Sequence, residues 1–213
     1  GAMPFVLIAG IHIINQRADR LMLGSMLDME SVGLYSVAMQ MALGVNFTLL
    51  GINQPVAPLV AERYEADRHH ELQSILIRAT TFATAGSLLI VLGLAYWGEW
   101  VLSFFGPEFT ASYYPLLILA AGQLINVAAG PVGELLTMSR KVHIVGIGVG
   151  ISAVANIVLN LWLIPIYGIV GAAIATSVSM AVWNLVLVAF AKYQLGVSTN
   201  LLARFIPATQ SRS

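Results

Sequence analysis

Cysteine is absent from all 213 residues, so neither a disulfide framework nor thiol chemistry is available. Charge is nearly as scarce. Asp, Glu, Lys and Arg make up 9% of the chain and hydrophobic residues 58%, whereas soluble domains carry about a quarter charged residues. Ten basic residues balance ten acidic ones, so no net field draws the chain to nucleic acid, and no nucleic-acid partner is expected. The sequence also lacks G-x-S-x-G, H-E-x-x-H, P-loop and dinucleotide fingerprints. With no nucleophile–base motif and no phosphate-cradling loop, it reads as a non-enzyme, with no catalytic residues, cofactor or metal. His69, His70 and Glu71 are contiguous, and adjacent helix residues do not face one site. The first apolar segment is too long for a signal peptide and has no basic start. Residues 1–3 read as a cloning scar or an arbitrary start.

What the chain has is long uncharged runs. Residues 31–61, 79–98, 109–133 and 142–191 contain no Asp, Glu, Lys or Arg. About 20 residues at 1.5 Å each cross a ~30 Å hydrocarbon core, and these stretches offer no polar face to water. The reading is an all-α, polytopic membrane protein. Six transmembrane helices are expected, at about 4–27, 32–61, 79–100, 111–137, 142–164 and 169–191, with residues 194–213 as a cytoplasmic tail. The run 142–191 is too long for one span, and Pro165 and Gly168 in "IPIYGIVG" mark its break. Kinks are expected at Pro55 and Pro58, where the ring removes a backbone donor, and at Gly130-Pro131. "ERYEADRHHELQ" reads as a solvated helix between spans two and three.

The connections differ in charge. Arg63, Arg68, Arg78, Arg140, Lys141, Lys192, Arg204 and Arg212 all fall on one side of the expected bundle, and the other side holds Asp28, Glu30, Glu99 and Glu108. By the positive-inside rule the basic side is cytoplasmic, with both termini there. Trp97, Trp100, Tyr113, Tyr114, Trp162 and Tyr167 cluster at the opposite ends, as an interfacial aromatic belt would.

Three charges break the pattern inside span one: Arg17, Asp19 and Arg20. At 100° per residue His12, Gln16, Asp19 and Arg20 share one helix face, flanked by Asn15 and Arg17. A charge facing lipid at the bilayer centre costs about 2.5–3.5 kcal/mol on insertion scales, so this face is expected to line a polar cavity. An internal ion-pair cluster that only orients helices is the plainer alternative. Asn156 and Asn160, four apart, fall on one face of span five and are expected to hydrogen-bond neighbouring helices. The small residues of "GAAIATSVSMA" suit close helix packing. Asn46, Gln54, Gln123, Asn126 and Glu134 are further buried-polar candidates, and Trp183 reads as packing.

"ANIVLNLWLIPIYGIVGAAIATSVS" at residues 155–179 resembles the penultimate hairpin of polysaccharide flippases. These belong to the multidrug/oligosaccharidyl-lipid/polysaccharide exporter superfamily. "ADRLMLGSMLDMESVGLYSVAMQM", "PVAPLVAERYEADRHHELQ" and "VLSFFGPEFTASYYPLLILAAGQLI" are similar to further family segments, in family order, and the likeness covers nearly all of residues 4–196. The resemblance implies the second, C-terminal six-helix lobe of a two-lobe fold. Its partners would then be the bilayer, a lipid-linked oligosaccharide, and a missing first lobe or a homodimer mate. It implies alternating-access flipping across a bacterial or archaeal cytoplasmic membrane, for O-antigen or similar polysaccharide synthesis. On that reading Arg17, Arg20, Gln16 and His12 contact substrate. The arginines grip the diphosphate through paired charge-assisted hydrogen bonds. Asp19 serves an ion pair, or couples transport to a cation or proton. The alternatives are a drug/cation antiporter of the same superfamily, which would favour carboxylates in its cavity, and a non-transporting membrane scaffold.

Overall fold

The computed structural model describes residues 17–66, 68–139 and 141–195. His12, Gln16, Arg140 and the 196–213 end of the expected tail lie outside these residues. The described chain is helical, with no strand assigned within it. Helix α1 is described over 17–26 and stops before Asp28. Asp28 caps the next helix, α2 (Met29–Leu43), by accepting from the Ser31 backbone N–H at 2.7 Å. This satisfies one of the donors every helix start leaves unpaired, and it holds the exposed Asp28 carboxyl below its ordinary range.

A 3₁₀ turn, Gly44–Asn46, joins α2 to α3 (Phe47–Glu65), which stays helical through Pro55 and Pro58. The 3₁₀ turn upstream of the prolines includes Asn46. Helix α4 (His69–Ser103) runs for 35 residues. The expected solvated helix is thus split: residues 62–65 end α3, and from His69 onward it is one element with span three. No proline or glycine occurs between His69 and Gly86 to break it, and at 1.5 Å per residue its ~50 Å length overshoots the hydrocarbon core. Beyond a second 3₁₀ segment, Pro107–Ser112, α5 (Tyr113–Ala129) ends at Gly130, whose φ of 77° favours glycine. The short α6 (Val132–Met138) follows Pro131, so a real break occupies the expected Gly130-Pro131 position.

The segment α7 (Val142–Leu195) is two helices joined by a kink at Gly168, with φ 57° and ψ −133°. Its two legs fold back on each other: Ser152 Oγ donates to the Ser179 carbonyl at 3.0 Å. The turn depends on Gly171, where an added Cβ would sit 2.3 Å from the Leu163 carbonyl oxygen. Four stretches among the described residues are long and apolar enough to cross a membrane: Met29–Val56, Glu71–Ser103, Pro107–Ala129 and Val142–Tyr193, the last folded on itself. The chain is a multi-pass membrane protein.

The main core joins α1, α2, α5 and the α7 turn through Leu23, Tyr35, Ala38, Leu116, Ala120 and Ala172. Alanine and glycine let these backbones approach, as helix association within lipid requires. Gly122 of α5 faces Ser177 so closely that a Cβ would meet its Oγ at 2.6 Å. The outward face of α4 instead exposes Leu88, Leu89, Leu92, Tyr96, Trp97 and Trp100, an apolar surface suited to acyl chains and headgroup level.

Candidate functional site

Asp19 lies 2% exposed, between buried Ala18 and the partly exposed Arg20. Its Oδ1 accepts from Asn160 Nδ2 at 2.7 Å, and its Oδ2 accepts from Thr176 Oγ1 at 2.7 Å and Tyr35 Oη at 3.0 Å. Tyr35 Oη and Thr176 Oγ1 are themselves 2.9 Å apart. One carboxylate therefore ties α1 to α2 and to both legs of α7. Behind it Asn160 donates to Asn156 Oδ1 at 3.0 Å, and Asn156 reaches Ser179 Oγ at 3.5 Å. Asn160 Oδ1 is buried with no hydrogen-bond partner among the described residues. Buried acceptors are nearly always satisfied, so this oxygen leaves one valence open within the shell.

Tyr35 and Thr176 were not singled out by the sequence. Each carried a weak signal: a tyrosine inside an apolar helix needs a partner for its hydroxyl, and Thr176 interrupts a run of small residues.

A cavity of about 310 Å³ opens from Asp19 and Arg20 along α2, α5 and α7, reaching Gln123, Asn126, Ser152 and Trp183. A second, of about 430 Å³, continues from Asn46, Asn126 and Trp183 toward Asn53 and Glu134. Between them runs a chain of carboxamides: Asn184 Nδ2 donates to Asn126 Oδ1 at 3.0 Å, and Asn126 Nδ2 to Asn46 Oδ1 at 3.4 Å. Gln123 is 4% exposed and lines the first cavity without a hydrogen-bond partner among the described residues. At the far end Asn53 Nδ2 donates to Glu134 Oε1 at 3.2 Å.

The two described members of the expected helix-one stripe stay together, and Arg17, expected on its flank, lies apart. Arg20 and Asp19 line the first cavity, whereas Arg17 is exposed and is not among that cavity's lining residues. His12 and Gln16 lie outside the described residues. Asn156 and Asn160 hydrogen-bond across helices. Trp183 forms part of both cavity walls, and its ring also packs over Gly148. Among the described residues no three His, Cys, Asp or Glu side chains converge as a metal site.

The MatE family model matches residues 10–162. The chain is 30% identical over 170 residues to the probable low-salt glycan biosynthesis flippase Agl15 of Haloferax volcanii, covering 77% of this chain and 35% of that protein. It is 28% identical over 176 residues to the probable flippase AglR of the same organism, covering 80% and 36%. Among solved structures it resembles a MATE protein in the bent conformation, with a TM-score of 0.75 at 19% identity. It equally resembles the outward-facing conformation of a multidrug resistance MATE family transporter, with a TM-score of 0.75 at 18% identity. Both likenesses cover 98% of this chain and 48% of the solved one, and at these identities they establish the fold. The chain spans about a third of the length of its curated relatives.

Proposed function

Because this chain belongs to the MatE family, we propose that it supplies one helical lobe of a flippase that moves a lipid-linked oligosaccharide across the cytoplasmic membrane. The other wall of the translocation cavity would come from a first lobe or a second copy. The observation that carries the reading is the polar wall from Asp19 to Glu134, set in helices whose outward faces are apolar. Two relatives named as flippases, one of them for glycan biosynthesis, support it. A drug/cation antiporter would want carboxylates open to its cargo, yet Asp19 is engaged by three neutral donors.

In this reading Arg20 meets the anionic diphosphate from the cavity wall. Arg17 engages it from the exposed flank of α1, and His12 and Gln16 extend the contact. Guanidinium presents a planar two-point fork to phosphate oxygens. Asp19 couples movement to a gradient. The oxygens of Asp19, Tyr35, Thr176 and Asn160 form a compact shell suited to a proton or a small monovalent cation. Because this shell spans α1, α2 and both legs of α7, a change of its charge would shift several helices together.

The test is complementation of surface glycan export in cells lacking their own flippase, using the full natural gene. Arg17→Gln with Arg20→Gln is expected to abolish export with insertion intact, and Arg→Lys to be partly tolerated. Asp19→Asn is expected to remove the gradient dependence of transport from a folded protein. Full export by the double arginine variant would rule out the phosphate grip.

In this reading both termini lie on the cytoplasmic side, where the basic connections fall. The cysteine-free sequence allows single cysteines to be labelled with an impermeant reagent. Positions 108 and 167 are expected to react from outside and position 68 only after permeabilisation. Labelling of position 68 in intact cells would invert the topology.

A further inference from the structure

We propose that Gln123, Asn126, Asn46 and Asn184, together with the ring of Trp183, form the surface on which the sugar portion of the substrate rests. The proposal builds on the flippase reading and assigns the ligand of a wall that reading leaves without one. Charge along the wall is confined to its ends, Asp19 and Arg20 at one and Glu134 at the other. Between them the named polar groups are carboxamides and hydroxyls. A carboxamide offers two donors and an acceptor oxygen with two lone pairs, so a row of them matches a neutral ligand whose hydroxyls both donate and accept. An anion would want cations along the row, and a cation would want carboxylates.

The usual role of such amides is to bind helices to each other. Asn184 and part of Asn126 do so, since Asn184 Nδ2 also donates to the Met180 carbonyl at 2.9 Å. The remainder of the strip is under-used. The Asn126–Asn46 contact is long at 3.4 Å, and Gln123 has no partner among the described residues despite being 96% enclosed. An amide that joins no helices yet borders a cavity is open to a ligand. Trp183, on both cavity walls, adds a flat apolar face with a negative quadrupole, complementary to the weakly positive C–H face of a pyranose. The two cavities share Asn46, Asn126 and Trp183, so the surface is continuous over both.

The experiment measures binding of two probes to the purified full-length protein. One is a polyprenyl diphosphate carrying a short N-acetylhexosamine oligosaccharide, and the other is the same polyprenyl diphosphate without sugar. The natural protein is expected to hold the glycosylated probe about tenfold more tightly, as a few net hydrogen bonds provide. Gln123→Leu and Trp183→Leu are each expected to erase most of that preference with the bare-lipid affinity unchanged. Gln123→Met and Trp183→Phe, with melting temperatures recorded, guard against misfolding. If the natural protein binds neither probe, the substrate class itself is wrong. If it binds both equally, or if folded Gln123→Leu, Gln123→Met and Trp183→Leu keep the preference, the sugar surface is overturned while the flippase reading stands.

Discussion

Two buried polar regions sit in this lobe, built from similar side chains and arranged in opposite ways. Around Asp19 the bonds are short, 2.7 to 3.0 Å, and three neutral donors converge on one carboxylate. Along Gln123, Asn126 and Asn46 the contact is 3.4 Å or missing. The Asn160 Nδ2 is committed in the first region and Gln123 is idle in the second, although both are carboxamides buried within the helix bundle. A polar residue inside a membrane is thus one of two things. It is a fastener whose partners come from this chain, or a surface whose partners come from elsewhere, and the hydrogen-bond inventory separates them where residue type does not.

The largest effect should come from breaking the closed region. Asp19→Leu leaves one hydroxyl of the Tyr35–Thr176 pair and one Asn160 N–H buried without their acceptor, since the other hydroxyl and the other N–H keep a partner, each orphaned donor costing about 1–3 kcal/mol. Thermal unfolding in detergent should show loss of the folded protein or a very large fall in melting temperature. Tyr35→Phe and Thr176→Val each remove one donor and should cost about 1 kcal/mol. Near-native stability of Asp19→Leu would mean the cluster is no fastener.

Next in size is the α7 turn that brings Asn160 and Thr176 to Asp19. Gly171→Ala forces a methyl to within 2.3 Å of a backbone carbonyl and should destabilise by about 1–3 kcal/mol. Gly33→Ala is the control: a Cβ there meets nothing within 4 Å, and the helix should gain about 0.5–1 kcal/mol.

Smaller still is the expected cost of opening the loose region. Asn184→Leu removes one interhelical bond, and such bonds in membranes average about 0.6 kcal/mol. The melting temperature should barely move. A loss as large as that of Asp19→Leu would erase the distinction between the two regions.

Outside both regions, Asp28 gives the smallest effect, visible only in acid. The Ser31 backbone N–H holds its carboxyl below the ordinary value of 3.8. The folded-state pKa is depressed, so its contribution to stability is complete above the unfolded value and is lost as pH falls through the folded one. Melting temperature should therefore decline slightly more below pH ~4 in the natural protein than in Asp28→Asn, which keeps a capping oxygen without the titration. Equal acid profiles for the two would remove the cap from the account.

Much of the fold was legible before any coordinates. Uncharged runs of bilayer length overlap the four stretches long and apolar enough to cross a membrane, Pro165 and Gly168 bracketed the turn, and Gly130-Pro131 marked a true break. The prolines of α3 did not end its helix, and the 3₁₀ turn upstream of them carried no signal that was read. A helix carries proline when the carbonyl it frees is satisfied nearby. From His69 onward the solvated segment merged into α4 because a polar composition does not by itself end a helix. At the site, the stripe on α1 announced that Asp19 and Arg20 required a polar environment, and periodicity alone grouped Arg17 close to them.

The amino-acid sequence by itself determined that this chain enters a membrane and that the charges of its first helix call for polar surroundings. Both follow from local transfer energies, which sum along the chain. Only the tertiary structure decided which groups answer Asp19. Asn160 and Thr176 stand 141 and 157 residues away, and no periodicity reaches that far. Their meeting depends on how closely α1, α2 and the two legs of α7 can pack, and so on small residues such as Gly171 and Ala172 whose role appears only once the backbones touch.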